Sequence, residues 1–207
     1  MKAVVIGGHT RNIGKTSVTS ALIREFAPLR WTAVKITQYG HGFCSRDGHA
    51  CDCAPEEHPF ALTEETDALG RADTCRFLAA GAERSLWLRV RQGQISSALP
   101  LLTRKLRQSE WVIIESNSIL DYLDPLLYLV VLDSSQPDFK PSARRALDRA
   151  DVLVSVTSSG PRVVGQQWPE FDPGLLSSKP TFQVSRPRFW NPELGEFVGR
   201  KLAVGVG

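Results

Sequence analysis

The chain of 207 residues carries a formal net charge of +3, with 42% hydrophobic and 23% charged residues, proportions that are ordinary for a soluble globular protein. This charge is too small to indicate nucleic acid as a partner, and no apolar run approaches the roughly 20 residues that span a bilayer. The N-terminus lacks the apolar region and cleavage site of a signal peptide. We therefore expect a cytoplasmic protein with neither a membrane nor a nucleic-acid partner, whose four cysteines are thiols or ligands rather than disulfides.

Short apolar, β-branched runs alternate with stretches of helical periodicity along most of the chain. They predict strands at residues 3–6, 31–36, 85–90, 111–115, 127–132, 152–156 and 181–184, and helices at 15–26, 72–80, 95–108 and 142–150. Proline and glycine become more frequent after residue 160, which favours a loop-rich tail. The alternation is typical of an α/β fold with a mostly parallel sheet and helices on both faces. We expect one domain over residues 1–207.

The first predicted strand runs into a glycine-rich loop that ends in Gly-Lys-Thr and opens the first helix. Such a loop points backbone N–H groups and a helix N-terminus at an anion. Lys15 would add positive charge near the terminal phosphates, and the Thr16 hydroxyl would face Mg²⁺. The alternative is an ordinary strand-to-helix turn. The predicted nucleotide-binding residues are Gly8, His9, Thr10, Arg11, Asn12, Ile13, Gly14, Lys15, Thr16 and Ser17.

A stretch at about 40–66 differs from its surroundings because it is rich in Gly, His, Cys, Asp, Glu and Pro. We predict a long loop or insertion there, since a loop of this length is usually functional or disordered. Cys44, Cys51 and Cys53 fall within ten residues and lie near His58. Thiolates and imidazoles suit zinc or an iron–sulfur cluster. The alternative is a loop whose cysteines are incidental.

Three charged residues lie where a phosphate-binding site would need them. Lys35 is in the second predicted strand, Asp73 begins a helix, and Glu115 ends a strand. The carboxyl ends of strands are where open α/β sheets bind ligands, and Mg²⁺ is usually held by one or two carboxylates, phosphates and water. Thr16, Asp73 and Glu115 are therefore the candidate Mg²⁺ ligands. The alternatives are a surface lysine, a helix-start acid and a solvated strand-end acid.

The loop spacing resembles one family of phosphate-loop enzymes. Five residues separate Gly8 from Gly14, as in the G-T-D-T-x-x-G-K-T loop of dethiobiotin synthetase, where the common loop has four. Residues 34–40 resemble that family's second strand, 71–74 its Ser-Asp-Ala segment, and 111–115 its strand ending in a glutamate. The resemblance implies a three-layer P-loop NTPase fold, Mg²⁺ and ATP. It also implies that Lys15 and Lys35 are catalytic, that Asp73 and Glu115 bind Mg²⁺, and that the chain forms a homodimer.

A second family is also similar. Residues 73–82, DTCRFLAAGA, resemble a segment of the molybdopterin-guanine dinucleotide biosynthesis adaptor protein. Residues 115–118 read Glu-Ser-Asn-Ser, which departs from both families after the glutamate. Two functions are therefore open. One is a Mg-ATP-dependent synthetase or NTPase acting on an unidentified small molecule in cofactor biosynthesis. The other is a nucleotide-switched adaptor or metallochaperone. Residues 154–160 lack a guanine signature, which favours ATP over GTP.

Overall fold

The computed structural model describes residues 1–40, 59–157, 168 and 173–204, and its centre is an eight-stranded sheet. The strand order is β3-β4-β2-β5-β1-β6-β7-β8, and every neighbouring pair is parallel except β3 with β4. The strands are β1 Lys2–Gly8, β2 Thr32–Tyr39, β3 Phe60–Glu65, β4 Arg84–Arg91, β5 Trp111–Glu115, β6 Leu127–Asp133, β7 Val152–Thr157 and β8 Thr181–Ser185.

Helices cover both faces of this sheet and create two separate apolar cores. The helices are α1 Lys15–Glu25, α2 Asp73–Ala79, α3 Ile95–Leu106, α4 Pro141–Ala146, α5 Pro173–Ser177 and α6 Pro192–Val204. Helices α1, α2 and α6 pack on one face, and α3 and α4 pack on the other together with Trp168. The predicted three-layer α/β P-loop fold is confirmed, because the glycine loop joins central strand β1 to α1.

The central strands are buried on both faces, which explains their continuous apolar runs. Every residue of β5 and β6 is buried, as expected for strands covered by helices on both sides. Parallel registration brings their carboxyl ends to one edge of the sheet. Glu115 lies beside Ile6 of β1 on one side and beside Lys35 of β2 on the other. The sheet thereby places Glu115 next to the start of the glycine loop.

Three elements differ from the predictions, and one of them is the short helix α5, for which no helix was predicted. Residues 60–65 form edge strand β3, although a loop was predicted through residue 66, since Phe60 and Leu62 lie on one face of the strand and pack against the core. The tail contains α6, which was not predicted; its Leu194, Val198 and Leu202 recur every four residues and are buried. Within the described ranges, none of the helices is long and apolar enough to cross a bilayer.

Candidate functional site

The glycine loop turns sharply before α1 and is covered by the segment that precedes α6. Asn12 and Gly14 have positive φ angles of 59° and 95°. A Cβ atom on Gly14 would lie 2.3 Å from the Phe189 ring. Both the backbone conformation and the space therefore require glycine at position 14. The turn leaves the first N–H groups of α1 facing the carboxyl edge of the sheet, which is the arrangement of an anion site.

Lys15 begins α1 and folds back over the loop. Its Nζ atom donates a hydrogen bond to the carbonyl oxygen of Thr10. The pKa of Lys15 is lowered to about 8, chiefly by burial and also by the nearby Lys35 and Lys140, while Glu115 and Asp73 oppose the shift. The two carboxylates thus only partly offset the burial of this ammonium. An anion in the loop would supply further negative charge.

Thr16, Lys35, Asp73 and Glu115 form one cluster beside the loop, as the sequence predicted. Thr16 Oγ1 donates to Glu115 Oε2 at 2.8 Å. Lys35 Nζ lies 2.5 Å from Glu115 Oε1 and 2.8 Å from Asp73 Oδ2, so one ammonium bridges both carboxylates. Glu115 is only 2% exposed. Each carboxylate oxygen is a hard donor of the type that Mg²⁺ prefers.

The charges in this cluster stabilise one another. Burial works against the charge of Lys35, but the adjacent Glu115 and Asp73 outweigh it and raise the lysine pKa. Burial similarly disfavours the charged form of Asp73, and the Lys35 ammonium nevertheless holds its pKa below the usual range. Lys35 and Asp73 are therefore both charged at neutral pH, with the Glu115 carboxyl group in contact with the same ammonium.

His9 occupies the position where the common loop has glycine, and it is fully buried. Nδ1 lies 2.7 Å from the Asp138 carbonyl oxygen, and Nε2 accepts the Asp133 backbone N–H at 3.1 Å. These partners require a neutral ring with its proton on Nδ1. The ring also packs against Phe139 and Trp168, at centroid distances of 5.3 and 4.6 Å. Burial lowers the pKa of His9, which keeps it neutral.

The backbone of His9 and the side chain of Thr10 also bind to residues 138–140, which the His9 ring contacts through the Asp138 carbonyl. Lys140 N–H donates to the His9 carbonyl at 2.8 Å, and Thr10 Oγ1 donates to Asp138 Oδ2 at 2.5 Å. The beginning of the loop is therefore bound to the connection between β6 and α4. The His9 ring is directed into the core and both of its nitrogens already have partners, and its place among the nucleotide-binding residues stays a prediction.

Asn117 is a site residue that the sequence did not single out. Its Oδ1 accepts the Gly8 N–H and its Nδ2 donates to the Gly8 carbonyl, both at 2.9 Å. A Cβ atom on Gly7 would lie 2.3 Å from the same Oδ1 atom. The Glu-Ser-Asn-Ser departure after β5 was the available signal. Asn117 replaces a backbone partner for the last residue of β1 and positions the loop.

The remaining predicted loop residues differ in exposure. Ile13 is buried in the core, whereas Arg11 and Asn12 are exposed. Ser17 faces α2, where its hydroxyl accepts a hydrogen bond from Arg76 at 2.9 Å. Lys140 lies close enough to Arg11 and Lys35 for both to lower its pKa, after the larger effect of burial. Four cations, Arg11, Lys15, Lys35 and Lys140, thus surround the loop.

Cys44, Cys51, Cys53 and His58 lie outside the described residues, so the zinc or iron–sulfur site stays a prediction. Within the described part of the chain, no group of three or more His, Cys, Asp or Glu side chains could hold a metal ion. The Thr16 cluster has only two carboxylates. It would suit an ion that takes its other ligands from phosphate and water.

Two cavities lie at opposite ends of the strands. A cavity of about 500 Å³ opens at the carboxyl ends of β7 and β8, between Thr157, Ser185 and Trp190. It adjoins the segment in which Phe189 packs on Gly14. A larger cavity of about 880 Å³ opens at the amino-terminal ends, between Thr32, Arg84 and Trp111, on the side of the sheet away from the loop.

Comparison with known proteins gives structural likeness alone. No protein-family model and no curated protein matches the chain. One similar structure is HypB from Helicobacter pylori in complex with nickel, at 15% identity over 97% of this chain and 85% of that one, with a TM-score of 0.46. Another is LpxK from Aquifex aeolicus in complex with ATP, at 17% identity over 88% and 53%, with a TM-score of 0.48. At these values the likeness carries no argument about activity.

Proposed function

We propose that the chain binds a nucleoside triphosphate with Mg²⁺ and uses it to act on a small molecule. The single observation that supports this proposal is the cluster in which Thr16 and Lys35 both contact Glu115 beside Lys15. Phosphoryl chemistry needs positioned positive charge and a metal, with little covalent help from the protein. This cluster brings positive charge and carboxylates that could hold a metal together at the N-terminus of α1.

Each residue has a distinct part in this proposal. The loop N–H groups and Lys15 bind the phosphates, and Lys35 stabilises charge that develops on the transferred group. Thr16, Glu115 and Asp73 would hold Mg²⁺. When bound, the ion supplies a Lewis acid that neutralises phosphate oxygens. Because Lys35 already bridges both carboxylates, a cation is compatible with this position, and Lys35 would be released toward the phosphate.

We assign the purine base of the nucleotide to the cavity at the carboxyl ends of β7 and β8. Thr157 and Ser185 end their strands there, and Asn191 and Trp190 add an amide and an aromatic surface. Trp190 in this cavity directly follows Phe189, which packs on Gly14 of the loop, and Thr157 belongs to the segment 154–160, where the sequence lacks a guanine signature. ATP is the preferred nucleotide, with GTP the alternative.

The first interpretation is an ATP-dependent synthetase of cofactor biosynthesis, similar to dethiobiotin synthetase. The five-residue loop spacing favours it, as does the clustering of Lys35, Asp73 and Glu115. The adaptor reading is favoured by residues 73–82, where Asp73 and Arg76 both face the loop side of α2. The two readings differ in what stimulates turnover.

A hydrolysis assay with ATP and GTP, in Mg²⁺ and in EDTA, tests the proposal. We expect Mg²⁺-dependent release of phosphate that Lys35→Ala abolishes and that Lys2→Ala, a lysine at the far end of the sheet, leaves unchanged. Stimulation by a small carboxylate or amine supports the synthetase, and stimulation by a partner protein alone supports the adaptor. If neither nucleotide binds, whether Mg²⁺ or EDTA is present, both the synthetase and the adaptor interpretation are contradicted.

A further inference from the structure

Arg89, in β4, is a buried cation outside the cluster described above. The residue is only 8% exposed, and its Nε atom has no hydrogen-bond partner. Its Nη2 atom donates to the Thr63 hydroxyl at 3.3 Å. Among the residues the structure describes, no carboxylate forms an ion pair with Arg89. A buried charge without a counter-ion is costly, and proteins normally pair or hydrogen-bond such groups.

The contrast with Arg84, in the same strand, shows what a paired arginine looks like here. Arg84 donates to both oxygens of Glu64, from Nε at 2.7 Å and from Nη2 at 3.0 Å. This is the two-pronged geometry that suits a guanidinium and a carboxylate. Arg84 is also more exposed than Arg89. The strand therefore pairs its more exposed arginine, while the more deeply buried one has no carboxylate partner within the described ranges.

The surroundings of Arg89 hold the guanidinium in place without neutralising it. Its Cζ atom lies 4.5 Å from the centroid of the Trp87 ring, in cation–π contact. The Trp87 indole is fixed in turn, because its Nε1 donates to the Thr37 hydroxyl at 3.1 Å. Thr37, Thr63 and Trp87 are all partly or fully exposed. The result is an oriented guanidinium on a platform of residues that are themselves open to solvent.

The sheet places this platform beside the phosphate cluster. Leu86, Leu88 and Val90 pack into the core under α3, so Trp87 and Arg89 point to the opposite face, which Lys35 shares. Lys35 pairs with Trp87 and Thr37 pairs with Arg89. Arg89 is therefore one strand across and two residues closer to the carboxyl edge than Lys35, with about 8 Å between the two α-carbons.

We propose that Arg89 binds an oxyanion, a carboxylate or phosphate, of the small molecule on which the nucleotide acts. Arginine is suited to this because its planar guanidinium recognises such groups with two parallel hydrogen bonds. A ligand held there would extend along β2 toward Lys35 and the triphosphate. This inference rests on the proposed function, because it places the second reactant of the same site.

The test uses the full chain labelled with ¹⁵N-arginine and saturated with Mg²⁺ and a non-hydrolysable ATP analogue, so that the loop is filled. Succinate is titrated in one arm and inorganic phosphate in the other, and the Nε–Hε signal of Arg89, assigned by its loss in Arg89→Lys, is followed. We expect a saturable shift with at least one anion, at a dissociation constant of about 1 mM. The tighter anion identifies the preferred group.

Variants separate this role from a structural one. Measured by calorimetry, Arg89→Gln should no longer bind the anion but should keep its affinity for the ATP analogue. Arg84→Gln, which changes the arginine that is paired with Glu64, should bind both the anion and the analogue as the wild type does. Arg89→Met should melt no lower than the wild type without anion, and it should lose the anion-dependent rise in Tm. A structural arginine would instead lower the melting temperature when replaced.

Two failures are distinguishable. If the analogue binds but the Arg89 signal does not move up to about 20 mM of either anion, or moves no more than that of Arg84, the oxyanion site is wrong and the proposed function survives. If the analogue itself does not bind to the wild type, the proposed function fails.

Discussion

The two ends of the glycine loop are held by different kinds of interaction. At the beginning, His9 is fully buried, neutral, and fixed by two ring hydrogen bonds and two aromatic neighbours. At the end, Lys15 and Thr16 adjoin an ion-paired cluster that is partly open to solvent. Neutral, saturated hydrogen bonds fix geometry, while ion pairs can be exchanged for other charges. We therefore expect the first end to be a fixed frame and the second to be the part that responds to a ligand.

The Lys35 ion pairs are of this exchangeable kind. One ammonium contacts both Glu115 and Asp73, so an incoming cation can replace it at the carboxylates and an incoming anion can attract it away. His9 has no such freedom, because both ring nitrogens and its carbonyl already have partners. Substitutions at the two ends should therefore separate into losses of activity and losses of stability.

The largest effect is expected at the responsive end. Glu115→Gln should lower Mg²⁺-dependent turnover by about 100-fold or more, because it removes the buried carboxylate that faces Thr16 and Lys35. The measurement is steady-state phosphate release at saturating Mg²⁺. Glu110→Gln is the matched control, because it changes an exposed residue just before the opposite end of β5, and its turnover should equal that of the wild type. Equal turnover of Glu115→Gln and wild type would separate this cluster from catalysis.

At the fixed end, His9→Phe should lower stability by about 3 kcal/mol, because the ring is retained while the Asp133 N–H and the Asp138 carbonyl lose their partners. For a chain of this length that corresponds to a fall in Tm of about 9 °C. Thermal unfolding followed by circular dichroism measures it. Thr157→Val, which removes one long hydrogen bond, should change little. A Tm of His9→Phe equal to that of the wild type would contradict the fixed-end description.

The same histidine predicts an acid dependence. Burial lowers the pKa of His9 in the folded chain, so below about pH 6.5 the unfolded chain binds a proton that the folded chain does not. Stability should therefore fall as pH drops from 6.5 toward the lowered folded pKa. Chemical denaturation at a series of pH values should show this slope in the wild type, and a smaller slope in His9→Phe. An identical slope in both would assign the effect elsewhere.

The smallest effect concerns protons at Lys15. Its pKa of about 8 lies below the unfolded value, so stability should rise with pH between about 8 and 10.5, where only the unfolded chain keeps this proton. Anion binding restores the charge, so binding an ATP analogue near pH 8.5 should take up a little under one proton. Calorimetry in buffers of different ionisation enthalpy measures the uptake. Lys15→Arg should bind without it, and equal uptake by Lys15→Arg would exclude Lys15 as the source.

The sequence predicted where the residues of the responsive end lie, because that placement depends on residue types in short patterns; their catalytic and metal-binding roles stay predictions. Gly14, Lys15 and Thr16 follow a strand and open a helix, and the Glu115 carboxylate ends a strand, as the structure has them. The fixed end was not predictable in this way. The roles of His9 and Asn117 depend on contacts with Asp138 and Gly8, more than 100 residues away in the chain. No local pattern encodes such pairings.

The missed elements have a similar cause. Strand β3 follows a stretch rich in glycine, cysteine and histidine, and only its pairing with β4 gives Phe60 and Leu62 a buried face. Helix α6 lies in a tail rich in proline and glycine, so its apolar residues at four-residue spacing were not taken as a helix. Arg89 shows the opposite case. Its position in an apolar strand is visible in the sequence, whereas its lack of a carboxylate partner in the described part of the chain depends on how the sheet packs.

The central claim is that the loop binds a nucleoside triphosphate through Lys15. The direct measurement is a calorimetric titration of Mg²⁺ and a non-hydrolysable ATP analogue into the wild type, Lys15→Ala and the surface control Lys2→Ala. We predict binding to the wild type and to Lys2→Ala at equal affinity, and an affinity about 100-fold weaker for Lys15→Ala, since a charge-assisted contact to phosphate is lost. Equal affinity for all three proteins would contradict the claim.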